Sequence, residues 1–165
     1  MCRLQFLSLL VCMLLAPAFT MAQGAQVAFG SEEHDSSLPV EVTSDNLNVD
    51  QNDGTAIFTG NVLIGQGEMR LWAPRVLVVY REDQSGIESL NATGGVTMIS
   101  GEDAAEGRQA DYNVQSGLIE MEGDVLLIQG VQALTGDKLF IDTKAGTARV
   151  TGRVKTVLRS TPENE

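Results

Sequence analysis

The chain has 165 residues, with 22 Asp and Glu against 11 Lys and Arg and a formal net charge of −11 at pH 7. That acidity argues against nucleic acid as a general partner. Aromatic residues make up only 5% while glycines number 17, the balance expected of a many-turned β protein and not of a helical one.

The N-terminus reads as a targeting segment. Met1-Cys2-Arg3 carries one positive charge, and Phe6 to Ala18 is an almost unbroken apolar run. That run is of signal-peptide length and short for a membrane span. Small residues at Thr20 and Ala22 fit a cleavage site after Ala22, so residues 1–22 are expected to be removed. Cys2 and Cys12 leave with them, and the remaining chain then has no disulfide, no thiol nucleophile and no thiolate metal ligand. Residues 23–38 are polar and read as a flexible leader, residues 39–160 as one domain, and residues 161–165 as a frayed tail.

Within the domain a block of about thirty residues recurs, the sign of one supersecondary unit stacked on copies of itself. Its landmark is a glycine followed by a short apolar strand, beginning at Gly60, Gly94, Gly123 and Gly152. Each block holds four short columns of period two. The first runs Val40-x-Val42-x-Ser44, Met69-x-Leu71-x-Ala73, Asp103-x-Ala105-x-Gly107 and Gln132-x-Leu134-x-Gly136. The second is Leu47-x-Val49, Val76-x-Val78, Ala110-x-Tyr112 and Leu139-x-Ile141, and the third begins at Ala56, Glu88, Ile119 and Ala148. Turns with Gly at a position of positive φ are expected at Gly54, Gly86, Gly117 and Gly146. Alternation over short stretches marks half-buried strands. The fold class is therefore all-β, with about sixteen short antiparallel strands in four internal repeats. Small residues such as Ala73, Ala105, Gly107, Gly136 and Ala148 fit either a groove between two sheet faces or tight packing at sheet corners.

Catalytic chemistry has little to work with. The single histidine, His34, lies in the leader, and one His with no Cys builds no metal cluster. Glu32-Glu33 and Glu102-Asp103 read as solvated charge, and no cofactor is expected. Arg70, Arg75, Arg81 and Arg108 fit ordinary surface positions or the rim of a groove. A hydrolase on a parallel β-helix is disfavoured, because the Gly turns read as hairpins. Charge is uneven along the chain. Ser31 to Asp53 holds seven acidic residues and no Lys or Arg, whereas Lys138, Lys144, Arg149, Arg153, Lys155 and Arg159 face a single acid, Asp142, in the last stretch. Opposite charge at the two ends of a stack would steer head-to-tail docking by strand addition, and those six basic residues are the candidate docking set.

The stretches Pro39 to Asp50, Gly54 to Val62, Ile87 to Gly94 and Leu134 to Leu139 resemble the OstA-like family of lipopolysaccharide-transport proteins, with LptA as its type. The resemblance spans about residues 39 to 158. It implies a twisted open β-jellyroll with lipopolysaccharide acyl chains between its sheets. It also implies periplasmic modules joined head-to-tail, with LptC-like modules on the inner-membrane side and translocon modules on the outer-membrane side. On that basis the groove-lining candidates are Val42, Leu47, Val49, Phe58, Val62, Ile64, Leu71, Val76, Val78, Leu90, Met98, Tyr112, Met121, Leu127 and Ile141. The alternatives are a β-stack scaffold that binds no lipid, or a module of an LptC-like or translocon protein. One departure stands out: Pro74 precedes Arg75 where the family has an acidic residue, so a bend or strand end is expected there.

Overall fold

The structure, a computed structural model, describes residues 25–30 and 38–158. The expected signal peptide and frayed tail lie outside those residues. Eleven strands follow in chain order: β1 (Ala25–Ala28), β2 (Glu41–Thr43), β3 (Asn46–Asp50), β4 (Thr55–Gln66), β5 (Met69–Tyr80), β6 (Ile87–Ser100), β7 (Asp103–Asn113), β8 (Leu118–Gln129), β9 (Gln132–Asp142), β10 (Thr147–Thr151) and β11 (Lys155–Leu158). All pairings are antiparallel, in the order β1-β10-β9-β8-β7-β6-β5-β4-β2, with β3 also on β4 and β11 also on β9.

About sixteen short strands were expected, and eleven are found. The difference is one of joining. Each of β4 to β9 contains two of the expected strands, and the break between them is a bulge and not a chain reversal. Register shifts fall between Thr59 and Val62, between Thr93 and Val96, and between Glu122 and Val125. These are the Gly-x-Val landmarks of the repeat. At each one two consecutive residues have positive φ: Gly60 and Asn61, Gly94 and Gly95, Gly123 and Asp124, and again Gly152 and Arg153 between β10 and β11. Inserted residues bend the strand and re-aim its side chains. Each long strand therefore contributes to two half-sheets. The A half carries the turns at residues 51–54, 81–86, 114–117 and 143–146, and the B half carries the two-residue turns that begin at Gly67, Gly101 and Gly130.

The inner faces of the halves close on one another. After each bulge a valine stands opposite a residue with little or no side chain: Val62 opposite Ala73, Val96 opposite Gly107, Val125 opposite Gly136. That answers why the small residues are there: the corner is tightly packed. At the tips, the Tyr112 hydroxyl of the A half donates to Gln66 Oε1 of the B half at 2.7 Å, and both side chains are buried. Burial pushes the Tyr112 phenol above its ordinary pKa, so it stays protonated and keeps donating.

Two expectations are corrected. The flexible leader is not featureless: within it, Ala25–Ala28 pairs with β10 and Phe29 is buried in the core. Val27-x-Phe29 alternates as any inner strand does, and its apolar pair outweighs the polar surroundings that suggested a leader. Gly86 does not take the left-handed position in its turn; Gln84 does, at φ 56°. This turn is six residues long against four in the others, which moves the left-handed position earlier, and Asp83 Oδ1 accepts from the Ser85 amide at 2.9 Å. At Pro74 the expected bend is present, with register shifting between Trp72 and Arg75.

A methyl group on Gly136 would stand 2.5 Å from Val150 Cγ1 and 2.8 Å from the Thr151 carbonyl. Gly136→Ala is expected to cost about 1–3 kcal/mol of stability, read from the urea midpoint. Tyr112→Phe removes the donor to the buried Gln66 amide oxygen and is expected to cost about 1 kcal/mol; an unchanged midpoint would show that the tips are not joined there.

Candidate functional site

The inner lining is the one continuous apolar surface among the described residues. It forms because period-two alternation puts every second side chain inward and the bulges keep both halves in phase. Of the fifteen candidates, Val62, Ile64, Leu71, Val76, Val78, Leu90, Met98, Tyr112, Met121, Leu127 and Ile141 lie in a single buried cluster. Val42 and Phe58 are half-buried against it. The halves thus pack directly on each other and exclude water along most of their length.

The exception is the N-terminal edge. Leu47 is 56% exposed and Val49 54%. They stand opposite Phe58 and Ala56 on β4, and opposite residues share a face, so they continue the inner lining past the point where a second layer covers it. All of β3 is exposed, and beyond it no strand among the described residues takes up its backbone groups. At the C-terminal edge Val154 is likewise partly uncovered, while β1 and Phe29 close the A half. Inner residues that sequence reasoning left out include Val27 and Phe29 from the leader, Ala92, Gln66, and Thr143, whose hydroxyl donates to the Gly117 carbonyl at 2.9 Å. Alternation in Ala25 to Phe29 was the available signal for the first two; a buried polar residue at a strand end leaves no trace in hydropathy.

The docking candidates are spread over one end and not gathered in a patch. Lys138 makes ion pairs with Glu120 at 2.8 Å and with Glu122. Arg153 pairs with Asp137 at 2.6 Å. Lys144 donates to the Gln115 carbonyl at 2.6 Å, and the Arg149 guanidinium lies over the Phe140 ring at 5.1 Å. Lys155 is exposed on β11, and Arg159 lies outside the described residues. The bulges are tied in a repeating way. Asp45 accepts from Asn61 at 2.8 Å, Asp124 from Arg108 at 2.8 Å, and Asp137 from Arg153. At the Gly94 bulge the equivalent position is Pro74, which has no N–H, whereas the Asp45 and Asp137 amides donate to the Gly60 and Gly152 carbonyls at 2.9 and 3.0 Å. Arg70, offered as a rim residue, donates to the Gly67 and Met69 carbonyls at 2.6 and 2.8 Å, and Arg108 is held by Asp124.

Hydrogen bonds from Arg153 hold the Asp137 carboxyl below its ordinary pKa, and those from Lys138 do the same for Glu122. A carboxyl with a lowered folded-state pKa stabilises the fold above its ordinary value, and that contribution is lost as pH falls through the folded value. Stability is therefore expected to fall on acidification below the ordinary carboxylate range. Glu122→Gln should flatten that dependence, as read by thermal unfolding across a pH series.

Residues 41–147 match the family described as LptA/(LptD N-terminal domain) LPS transport protein. The chain is similar to an uncharacterized protein of Rhizobium meliloti (strain 1021), 28% identical over 144 residues, covering 82% of this chain and 77% of that one. It is 27% identical over 111 residues to the lipopolysaccharide export system protein LptA of Escherichia coli (strain K12), covering 64% of this chain and 60% of that one. With the Haemophilus influenzae (strain Rd) LptA it is 24% identical over 150 residues, covering 84% and 87%. The crystal structure of LptH from Pseudomonas aeruginosa superposes with a TM-score of 0.70 at 19% identity, covering 77% of this chain and 99% of that one, and so shares its β fold. With the family match spanning most of the described fold, the chain belongs to the LptA/LptD N-terminal-domain family of LPS transport proteins.

Proposed function

We propose that this chain is a periplasmic, non-enzymatic carrier that holds the acyl chains of lipopolysaccharide against its inner lining and passes them toward the outer membrane. The observation that carries this reading is the lining itself. It runs uninterrupted through every repeat and emerges at one edge through Leu47 and Val49. Each buried CH₂ is worth about 0.8 kcal/mol, so a lipid with several acyl chains needs such a face to cross water. Repeats of similar composition offer near-equivalent positions, and a chain can move between them without meeting a deep trap.

The closed packing sets the price of entry: acyl chains must replace contacts that the two halves now make with each other. Entry therefore begins at the N-terminal edge, where Leu47 and Val49 are uncovered and Phe58 is half-buried behind them. It proceeds by parting the tips held by Tyr112 and Gln66. Partners in this reading are an LptC-like module on the inner-membrane side and a translocon module on the outer-membrane side, joined by strand addition at the open edges. The acids Glu41, Asp45 and Asp50 at one end, and Arg149, Arg153 and Lys155 at the other, favour head-to-tail over head-to-head contact.

A second reading has its own support. The near-complete burial of the inner residues is what a scaffold with a filled core would have. A photo-crosslinking residue at Phe58 decides between them, with Trp72, 40% exposed on the outer face, as the control position. The carrier reading expects lipopolysaccharide captured from position 58 and not from position 72. Capture from neither, or from position 72 alone, would support the scaffold.

A further inference from the structure

We propose that β1 is a removable cover on the β10 edge, held in cis in the place where β3 of a second copy would add. This rests on the strand-addition part of the proposed function and is independent of lipid binding.

Three observations carry it. The C-terminal end of the stack has one edge in each half. In the A half β1 pairs with β10, whereas β11 in the B half has no further strand beyond it among the described residues. The covering strand comes from the opposite end of the chain. It therefore adds to the sheet without extending the repeat, and four residues make a short ladder.

Next, β1 has the form of β3. Both run antiparallel to the strand they join. Each offers two apolar side chains at i and i+2 to the inner face: Val27 and Phe29 in β1 and the residue after it, Leu47 and Val49 in β3. Val27 stands opposite Ala148 as Val49 stands opposite Ala56. Strand β3 is wholly exposed and has no cover among the described residues, so it is the matching piece that a second copy brings.

Third, charge separates the two occupants. From Ala25 to Gly30 there is no ionisable side chain, and Gln26 is what faces Arg149. Strand β3 ends in Asp50 and follows Asp45, and it would meet the β10 edge that carries Arg149, with Lys155 on the adjoining β11 edge. The cis strand is instead fixed by its four-residue ladder with β10 and by three further bonds. The Phe29 amide donates to the Gly146 carbonyl at 2.8 Å, the Gly30 amide to Asp103 Oδ2 at 2.7 Å, and Gln129 Nε2 to the Ala28 carbonyl. An uncharged strand that covers the edge in cis and a charged one that fits it in trans make assembly a competition for one edge.

Sedimentation across a concentration series, at low and high salt, tests this with two forms of the full chain. Val27→Pro with Phe29→Ala releases β1. Gln26→Cys with Arg149→Cys, in a Cys2→Ser, Cys12→Ser background, locks it, since these two residues face each other across the ladder. The released form is expected to self-associate with a dissociation constant about tenfold lower, more so at low salt. The locked form is expected to associate more weakly than the parent and to recover on reduction. Adding Leu47→Asp to the released form should abolish the gain. Equal association in locked and reduced protein would overturn the proposal, and so would a gain that survives Leu47→Asp. Lipopolysaccharide binding by the released form, measured separately, shows whether the carrier reading stands whatever the outcome.

Discussion

Everything in this fold depends on bending long strands at one level. A flat sheet of strands this long would leave its apolar face in water. The one-residue bulges at Gly60, Gly94, Gly123 and Gly152, each with two consecutive residues of positive φ, turn each strand so that its two halves face each other. Positive φ at the first position favours glycine; at the second the chain tolerates Asn61, Asp124 and Arg153, each fixed by a side-chain bond, Asn61 to Asp45 between β2 and β3 and the other two to the neighbouring strand. The valine that follows can turn inward only because Ala73, Gly107 or Gly136 stands opposite. Backbone geometry, polar tie and core packing are thus one device repeated along the stack. Its polarity is free to change: Asp137 ties to Arg153, and Arg108 ties to Asp124 with the charges reversed.

Much of this was legible in the residues. Gly-x-Val marked the right positions but read as the start of a separate strand and not as a bulge; alternation marked the inward positions, and eleven of the fifteen lining candidates are buried together. What alternation does not carry is whether two columns are joined by a bend or by a turn, because the inward residues look the same on either side. That is why the strand count came out high. Leu47 and Val49 show a further limit. Their alternation matches that of Val76 and Val78, yet they are exposed because they sit at the edge of the stack, and edge or centre is a property of the whole sheet. The β1 strand was hidden for a related reason: four residues in polar surroundings become a strand only because a long-range partner waits at β10.

The proposed carrier role would give the inner lining two uses that compete. Packed on itself it is the core, with Val76, Met98, Met121 and Leu139 fully shielded from water. Offered to a lipid it is a binding surface, and the same apolar area cannot serve both at once. An exchange of protein contacts for acyl contacts is close to neutral in burial, since both satisfy the same apolar surface. In the proposed carrier role the ties at the tips therefore matter more than their number suggests, because Tyr112 and Gln66 would have to part for lipid to enter.

The most direct measurement of this exchange is the distance between nitroxide labels at Ser116 and Glu68. These are exposed positions in the turns next to Tyr112 and Gln66, one on each half. The account predicts a distance distribution that lengthens by several ångströms when lipopolysaccharide is added and returns when it is removed. A distribution unchanged at saturating lipopolysaccharide would contradict it.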